Sequence, residues 1–212
     1  MRSVAIGAFV AVAGLVTASC ATMSQEECLR GDWRAVGYDD GASGHAMSRI
    51  DEHAKACLKT GVTPDIRLYA QGREEGLVRY CTEANGFRVG REGHSYANVC
   101  PAPVEGEFLG GYADGERVHA AESRLESAQS DLSGADSRAE KRARQADGVE
   151  DELRNPKLTD EQVRELRDRL QRLRRERREA IEDGRRAEAA IRDAEREVDD
   201  LKARYAPRYG WW

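Results

Sequence analysis

The chain has 212 residues, of which 34% are charged and 6% are aromatic, with a mean hydropathy of −0.74 and a formal net charge of −5. So many charges and so few aromatic side chains exclude two ordinary globular cores. The near balance of positive and negative charge argues against binding to nucleic acid, and the low hydropathy excludes a polytopic membrane protein.

The first segment, residues 1–19, has the pattern of a secretory signal peptide. Arg2 supplies a positive charge, and an apolar run rich in Ala and Val follows over residues 4–16. A run of about a dozen residues is too short to cross the hydrocarbon core of a bilayer, which is about 30 Å thick. This combination predicts export from the cytoplasm.

The small residues at the end of this segment lead directly into Cys20, and the junction resembles the lipobox of bacterial lipoproteins. Thr17 departs from that pattern, which usually has Leu at this place. The resemblance implies that Cys20 is the site of lipid attachment, palmitate included, and the first residue of the mature chain. Because Ala21 rather than Asp follows, it also implies an outer-membrane anchor with the protein facing the periplasm. The alternative is a cleaved signal peptide beside an ordinary cysteine.

The four remaining cysteines lie within one part of the chain. An even number of cysteines in an exported protein predicts two disulfides, and the spacing leaves all three pairings open. A zinc site that also uses histidines of this region is the alternative, but the CxxC and HxxxH spacings of such sites are missing. We therefore expect no metal and no cofactor. The disulfide candidates are Cys28, Cys57, Cys81 and Cys100.

Composition changes sharply near residue 115. Residues 21–115 hold these four cysteines and most of the glycines, with 10 Lys+Arg against 15 Asp+Glu. Residues 116–205 hold 22 Lys+Arg and 24 Asp+Glu, only three glycines and no cysteine. We predict a small Gly-rich, disulfide-bonded head domain over residues 20–115 and a long helical coiled coil over residues 116–206.

The second part repeats apolar residues in steps of three and four, which predicts a left-handed coiled coil. Pro156 interrupts the repeat, and Thr159 with Gln162 then has the spacing of a capping box. The connection between the two helices is thus only about five residues long, and connections of this length join antiparallel helices. We therefore predict a helical hairpin in which Leu132 lies opposite Gly184. The alternative is pairing of the two arms between chains, and the oligomeric state stays open.

Three arginine features of this part need an interpretation. Arg142 and Arg177 interrupt the apolar seam, and we expect both guanidinium groups to reach solvent. The alternative is that they fix the register or bind an acidic partner. The basic run over residues 172–178 is interleaved with acidic residues and does not predict a nucleic-acid partner.

In the head, an aromatic residue is followed three places later by glycine four times. Such glycines either line a helix face that allows close backbone approach or mark tight turns. We predict helices over residues 51–58 and from residue 66 onward, and a turn or short hairpin over residues 85–90. The fold class is therefore mainly α. The four pairs are Tyr38/Gly41, Tyr69/Gly72, Phe87/Gly90 and Tyr112/Gly115.

The last six residues, 207–212, form an aromatic tail. We expect Pro207 to end the second long helix. We also expect Trp211 and Trp212 to pack on the head, with a membrane interface or a partner protein as the alternatives.

A wider pattern extends over about residues 25–118 and resembles the domain-of-unknown-function 2799 family, whose members are lipoproteins of the Gram-negative envelope. The resemblance implies a location and a domain identity, and it implies no activity. The pattern consists of Cys28, Trp33, Gly37, Tyr38, Asp40, Gly41, Gly44, His53, Cys57, Tyr69, Gly72, Gly76, Leu77, Tyr80, Cys81, Asn85, Gly86, Gly90, Gly93, Tyr96, Cys100 and Pro101.

Catalytic groups are weakly indicated. His53 and Cys57 share a helix face, and Asp39, Asp40 or Asp65 could complete a nucleophile, base and orienting group. A disulfide would leave no thiolate to act as a nucleophile, so we expect structural roles and assign no catalytic residue.

Five aromatic side chains of the head are candidates for a sugar-binding groove, although in a domain this small such rings more often form the core. We favour the core. These candidate ligand-facing residues are Trp33, Tyr38, Tyr69, Tyr80 and Tyr96.

Together these features favour an envelope lipoprotein without enzymatic activity. We expect a structural or interaction protein that presents a coiled-coil stalk in the periplasm, held at the membrane by its lipid anchor, with an envelope protein or the cell wall as partner. The first alternative is a module that binds cell-wall glycan or a small ligand. The remote alternative is an envelope enzyme that uses His53 or the pair Asp39/Asp40.

Overall fold

The computed structural model describes residues 22–210, and these form helices joined by short loops, without a β-strand. The mainly α fold is therefore confirmed. The predicted signal peptide, Cys20 and the two terminal tryptophans lie outside the described residues. The helices are α1 (Gln25–Arg30), α2 (Trp33–Ala42), α3 (Arg49–Cys57) with a 3-10 helix (Leu58–Thr60) directly after it, α4 (Ile66–Tyr80), α5 (Glu83–Arg91), α6 (Ala102–Leu153) and α7 (Asp160–Tyr209).

The contacts divide the chain into two compact units, and the division falls inside α4. The first unit ends at Gly76 and the second begins at Leu77. Over residues 22–210, no helix combines the length and the apolar character needed to cross a membrane.

Two disulfides are present, as predicted, and the structure selects one of the three pairings. Cys28 of α1 is bonded to Cys57 at the end of α3, and Cys81 is bonded to Cys100. The Cα atoms are 5.5 Å apart in each bridge. Each compact unit therefore contains one covalent link between segments distant in sequence. The first bridge lies in the core of the first unit, which consists of Met23, Cys28, Trp33, Ile50, Cys57 and Tyr69.

Within the first unit, α2 and α4 touch backbone to backbone through glycines. Each helix carries two glycines four residues apart, and a Cβ atom on any of them would overlap a carbonyl oxygen of the other helix. A Cβ on Gly37 would overlap the Tyr69 carbonyl, and a Cβ on Gly72 would overlap the Arg34 carbonyl. Only glycine permits this separation of the two helix axes. The four residues are Gly37 and Gly41 on α2, and Gly72 and Gly76 on α4.

Within the second unit, α5 and α6 make the same contact. A Cβ on Gly86 would overlap the Phe108 carbonyl, and a Cβ on Gly111 would overlap the Glu83 carbonyl. The spacing is again four residues on both helices. The four residues are Gly86 and Gly90 on α5, and Gly111 and Gly115 on α6.

These two contacts repeat one motif of sequence and structure. Residues 37–45 and 86–94 both read Gly, aromatic, two variable residues, Gly, two variable residues, Gly, His. The last glycine of each has a positive φ, 74° at Gly44 and 71° at Gly93. The carbonyl of the histidine that follows accepts a hydrogen bond from the paired helix, at 2.9 Å in the first unit and 3.0 Å in the second. The chain thus builds one helix pair twice.

The expectation of a turn or short hairpin over residues 85–90 is wrong, because these residues lie within α5. The Thr82 side chain accepts a hydrogen bond from the Asn85 amide at 3.2 Å and caps the helix. Glycine lowers the intrinsic helix propensity of this segment. The same glycines allow α5 to pack closely against α6, since a Cβ at position 86 or 90 would overlap a carbonyl oxygen of α6. This packing stabilises α5 in spite of the low helix propensity of its glycines.

The second unit also contains the two longest helices, α6 with 52 residues and α7 with 50, and they pack together. Ion pairs join Arg124 to Glu197 at 2.6 Å and Arg174 to Glu150 at 2.8 Å. The partner numbers fall along α7 as they rise along α6, so the two helices run in opposite directions. Thr159 forms the expected capping box at the start of α7.

Small residues form much of the seam between α6 and α7. Leu132 lies against Gly184, as predicted, with its Cδ1 3.7 Å from where a Cβ of that glycine would be. Arg142 exposes about a third of its side chain and pairs with Glu176, while Arg177 is exposed, so both guanidinium groups reach solvent as expected. The buried seam residues are Val118, Ala121, Ala128, Ala135, Ala146 and Val149 on α6, and Leu170, Leu173, Ala180, Gly184, Ala187, Ala194 and Val198 on α7.

The expectation that Pro207 ends the last helix is wrong, since α7 continues to Tyr209. A proline inside a helix removes one hydrogen bond and clashes with the preceding turn. Side-chain contacts of the last turn offset this loss. The Tyr209 ring stacks on Phe87 with centroids 4.1 Å apart, and its hydroxyl donates to Asp114 at 3.0 Å.

The glycine contact predicts opposite effects at two neighbouring positions of α6. Gly110→Ala should stabilise the protein by about 1 kcal/mol, because a Cβ there meets no other atom and alanine has the higher helix propensity. Gly111→Ala should destabilise it by about 1–3 kcal/mol or more, because the added Cβ would overlap the Glu83 carbonyl. Thermal unfolding followed by circular dichroism measures both. Equal effects of the two substitutions would contradict the proposed backbone contact.

Candidate functional site

A buried polar cluster lies inside the first unit. Asp40 is 8% exposed, His53 is 3% exposed and Tyr69 is fully buried. The Tyr69 hydroxyl donates to Asp40 Oδ2 at 2.6 Å, and His53 Nε2 lies 2.8 Å from the same oxygen. The other ring nitrogen of His53, Nδ1, lies 2.9 Å from the hydroxyl oxygen of Thr22. Four segments of the unit thus converge on one hydrogen-bonded group.

The glycine contact positions two members of this cluster. Asp40 is three residues after Gly37 on α2, and Tyr69 is three residues before Gly72 on α4. Because these helices approach to backbone contact, the phenol of one reaches the carboxylate of the other. α3 supplies His53 from the side, four residues before the half-cystine Cys57.

The hydrogen-bond chemistry assigns the protons of the cluster. A carboxylate only accepts hydrogen bonds, so both Tyr69 and His53 Nε2 act as donors to Asp40. In the neutral imidazole Nδ1 then carries the lone pair and accepts the hydrogen bond from the Thr22 hydroxyl. The His53 ring therefore links Thr22, three residues before the start of α1, to the Asp40 carboxylate of α2.

The electrostatics of the cluster hold the phenol in its protonated form. Burial, followed by the hydrogen bond to Asp40 and the negative charge of that carboxylate, raises the pKa of Tyr69 well above its usual value of about 10. The Tyr69 hydroxyl is thus a fixed hydrogen-bond donor at physiological pH.

The chain contains an apolar counterpart of this cluster in its second unit. By the repeat described above, Val89 stands where Asp40 stands, and Phe108 stands where Tyr69 stands. Both counterparts are buried, Val89 at 4% exposure and Phe108 at 0%. The helix pair therefore forms without the polar groups. The polar cluster of the first unit adds a hydrogen bond between His53 and Thr22.

The groups of this cluster include those of a catalytic triad, a hydroxyl, an imidazole and a carboxylate. Here the hydroxyl faces Nδ1 and the carboxylate faces Nε2, the reverse of the usual order in the serine hydrolases. The shared carboxylate oxygen also binds Tyr69. His53 and Asp40 are both buried. We refer to Thr22, Asp40, His53 and Tyr69, which hydrogen bonds join across four segments, as the Thr22 latch.

The other residues considered for catalysis are dispersed. Cys57 is in a disulfide and has no thiol. Asp39 is exposed, and Asp65 caps α4 by accepting from the Leu68 amide at 3.0 Å. In the part of the chain that the structure describes, no group of three or more His, Cys, Asp or Glu side chains is arranged to hold a metal ion.

The candidate ligand-facing aromatic residues lie mostly in the interior. Trp33 and Tyr80 are each 4% exposed, and Tyr69 is fully buried. Tyr96 is half-buried and its hydroxyl donates to Glu105 at 2.9 Å. Tyr38, at 36% exposure, presents the most surface of the five. Sequence reasoning missed Thr22, which carries no motif, and it also missed that Asp40, His53 and Tyr69 bond to one another.

A second cluster that the sequence did not indicate joins α6 to the end of α7. Asp114 accepts hydrogen bonds from the hydroxyls of Tyr205 and Tyr209, both at 3.0 Å, and from Arg117 at 2.6 Å. Arg208 of the same turn pairs with Glu83 of α5. The last turn of α7 is therefore fixed to both α5 and α6.

Comparison with known proteins identifies one region of the chain. Residues 32–117 match the family described as "Protein of unknown function (DUF2799)", so the resemblance predicted from the sequence is confirmed for that region. Neither the curated proteins nor the solved structures contain a match.

The raised pKa of Tyr69 predicts a loss of stability at alkaline pH. A phenol whose pKa is raised by folding contributes stability that is present below about pH 10 and is lost as the pH rises further. The decrease in unfolding free energy above pH 10 should be shallower in Tyr69→Phe, which also loses about 1 kcal/mol at pH 7. Urea unfolding at several pH values measures both. Tyr38→Phe, at an exposed ring, is the control, and identical slopes in Tyr69→Phe and wild type would contradict the prediction.

The apolar counterpart predicts a variant that keeps the fold and loses the latch. Asp40→Val/His53→Leu/Tyr69→Phe should fold with both disulfides, because a buried polar group can be replaced by packed apolar residues at little cost. Thr22 then loses its partner. Hydrogen exchange should rise in the peptide over residues 22–28 and stay unchanged in α5, as mass spectrometry will show. An unfolded variant would mean that the polar groups are required for the fold itself.

Proposed function

We propose that this protein, whose residues 32–117 form a DUF2799 region, is an envelope lipoprotein that is anchored through Cys20 and presents α6 and α7 in the periplasm as a helical-hairpin coiled coil. Its activity would be structural or one of partner binding, without a chemical reaction. The partner would be another envelope protein or the cell wall.

The cysteines support placement outside the cytoplasm. Disulfides persist in oxidising compartments, and all four cysteines of the described region are paired. A signal-like segment followed by Cys20 precedes that region. These two features are independent, since one comes from packing in the folded chain and the other from the leader sequence.

The long helix pair is the observation that carries the proposed role. Fifty-two residues at 1.5 Å per residue make α6 about 78 Å long. Outside the seam, most of the side chains of α6 and α7 are exposed, and many are charged. Ion pairs such as Arg138 with Asp183 at 3.2 Å join the helices at the surface. An extended polar rod with a narrow apolar seam is suited to spacing or to contact along its length.

The Thr22 latch supports a specific mode of anchoring. Thr22 is two residues after Cys20, and Met23 is already buried in the core of the first unit. Two residues extend over at most about 7 Å. An acylated Cys20 would therefore hold the first unit directly at the bilayer surface, with no flexible spacer.

The anchor predicts a definite intact mass. Protein extracted from native membranes should have the mass of a chain that begins at Cys20 and carries acyl chains, and it should react with an alkylating reagent only after reduction. Cys20→Ser should lack the acyl mass, with the four other cysteines still protected. Soluble wild-type protein with the same mass as a simple cleaved chain would refute the anchor.

The stalk role predicts different results for two substitutions of α6. Ala135 is 1% exposed and lies against Gly184, so Ala135→Asp places a charge in the seam and should separate the helices locally. Ser137→Asp places the same charge on the exposed face and is the matched control. A photo-crosslinking amino acid at the exposed position of Arg178 should give adducts of defined mass in the native envelope. Ala135→Asp should abolish these adducts, and Ser137→Asp should keep them.

The same experiment identifies a failure of the proposal. Adducts formed only by a crosslinker at Leu29, an exposed residue of the first unit, would assign partner binding to that unit. Unchanged adducts in Ala135→Asp would show that an intact helix pair is not needed.

A further inference from the structure

A groove of about 290 Å³ lies in the second unit, between α5 and the last turn of α7. Aromatic rings form one side of it, since Phe87 and Tyr209 stack with an angle of 8° between their planes. Two arginines of α5 flank the groove. The lining residues are Ala84, Phe87, Arg88, Arg91, Glu92 and Tyr209.

We propose that this groove binds the C-terminal tail of the same chain, Trp211 and Trp212 with the terminal carboxylate. The tail is tethered to one of the residues that line the groove. Successive Cα atoms are 3.8 Å apart, so the Cα of Trp212 lies within about 12 Å of the Cα of Tyr209. The connection passes through Gly210, which caps the end of α7 and has a φ of 84° that favours glycine.

The lining of the groove has the chemistry that a tryptophan tail requires. Indole rings pack against aromatic rings and against the planar faces of guanidinium groups. Arg88 bonds to Asn85 and Glu92, and Arg91 bonds to Glu122, so hydrogen bonds restrain both of these guanidinium groups, which line the groove. Arg88 and Arg91 outnumber Glu92 among the charged residues that line the groove, so the net charge of the lining favours the terminal carboxylate.

The last turn of α7 is fixed in place before the tail begins. Arg208 pairs with Glu83 of α5, and Tyr209 is bonded to Asp114 of α6. A rigid starting point reduces the number of positions that a two-residue tail can reach, which lowers the entropic cost of its binding. Docking would fasten the C-terminus over the junction of α5, α6 and α7. This inference is independent of the lipid anchor and of the partner of the stalk.

Tryptophan fluorescence tests the proposal, because the chain has only three tryptophans. In Trp33→Phe all indole emission comes from the tail. The expected result is emission shifted to shorter wavelength and acrylamide quenching at least threefold weaker than in the urea-unfolded chain. Arg88→Ala/Arg91→Ala should raise the quenching toward the unfolded value, whereas Arg178→Ala, on the exposed face of α7, should leave it unchanged.

Two outcomes would overturn the proposal. Quenching of the tail equal to that of the unfolded chain would show that the tail is exposed to solvent. Protection that disappears on dilution would show that the tail binds a second copy. Since Trp33 is buried, its replacement is checked with the unmodified chain labelled with 5-fluorotryptophan. Deletion of Trp212 assigns its ¹⁹F resonance, and that resonance should show the small H₂O/D₂O shift of a buried ring.

Discussion

Backbone contact between glycine-bearing helices is the constraint on which both compact units depend. At eight positions a single Cβ atom would overlap a carbonyl oxygen of the neighbouring helix. Glycine lowers the intrinsic stability of a helix by about 1 kcal/mol per residue relative to alanine, and the close packing that it permits offsets this cost. In each unit a disulfide reinforces the arrangement by restricting the unfolded chain.

Comparison of the two copies of the helix pair shows which residues are common to both and which are specific to one unit. Glycines, the aromatic residue after the first of them and the final Gly-His are common to both. The residues between the helices differ, since Asp40 and Tyr69 in the first unit correspond to Val89 and Phe108 in the second. The polar pair Asp40 and Tyr69 carries a desolvation cost in a buried site unless further groups bond to it. His53 bonds to Asp40, and Thr22 in turn bonds to His53.

Much of this architecture was predictable from sequence, and the limits have physical causes. Helical periodicity and Pro156 located the long helix pair, because seam residues repeat regularly and the break is local. The segment over residues 85–90 was misassigned, because Asn-Gly is a turn signal unless a partner helix requires the glycines. The sequence spacing could not predict which cysteines pair, nor that Asp40, His53 and Tyr69 bond to one another. Both features depend on how helices distant in sequence pack. Thr22 had no sequence signal at all.

One continuous helix serves both the glycine contact and the long pair in the second unit. Residues 111 and 115 of α6 touch α5, whereas the same helix extends without interruption to Leu153. The 38 residues between position 115 and that end make a lever arm of about 57 Å. A tilt of about five degrees at the α5 contact would displace the far end by about 5 Å. The position of the far end of α6 therefore depends on the backbone contact with α5 that these two glycines permit.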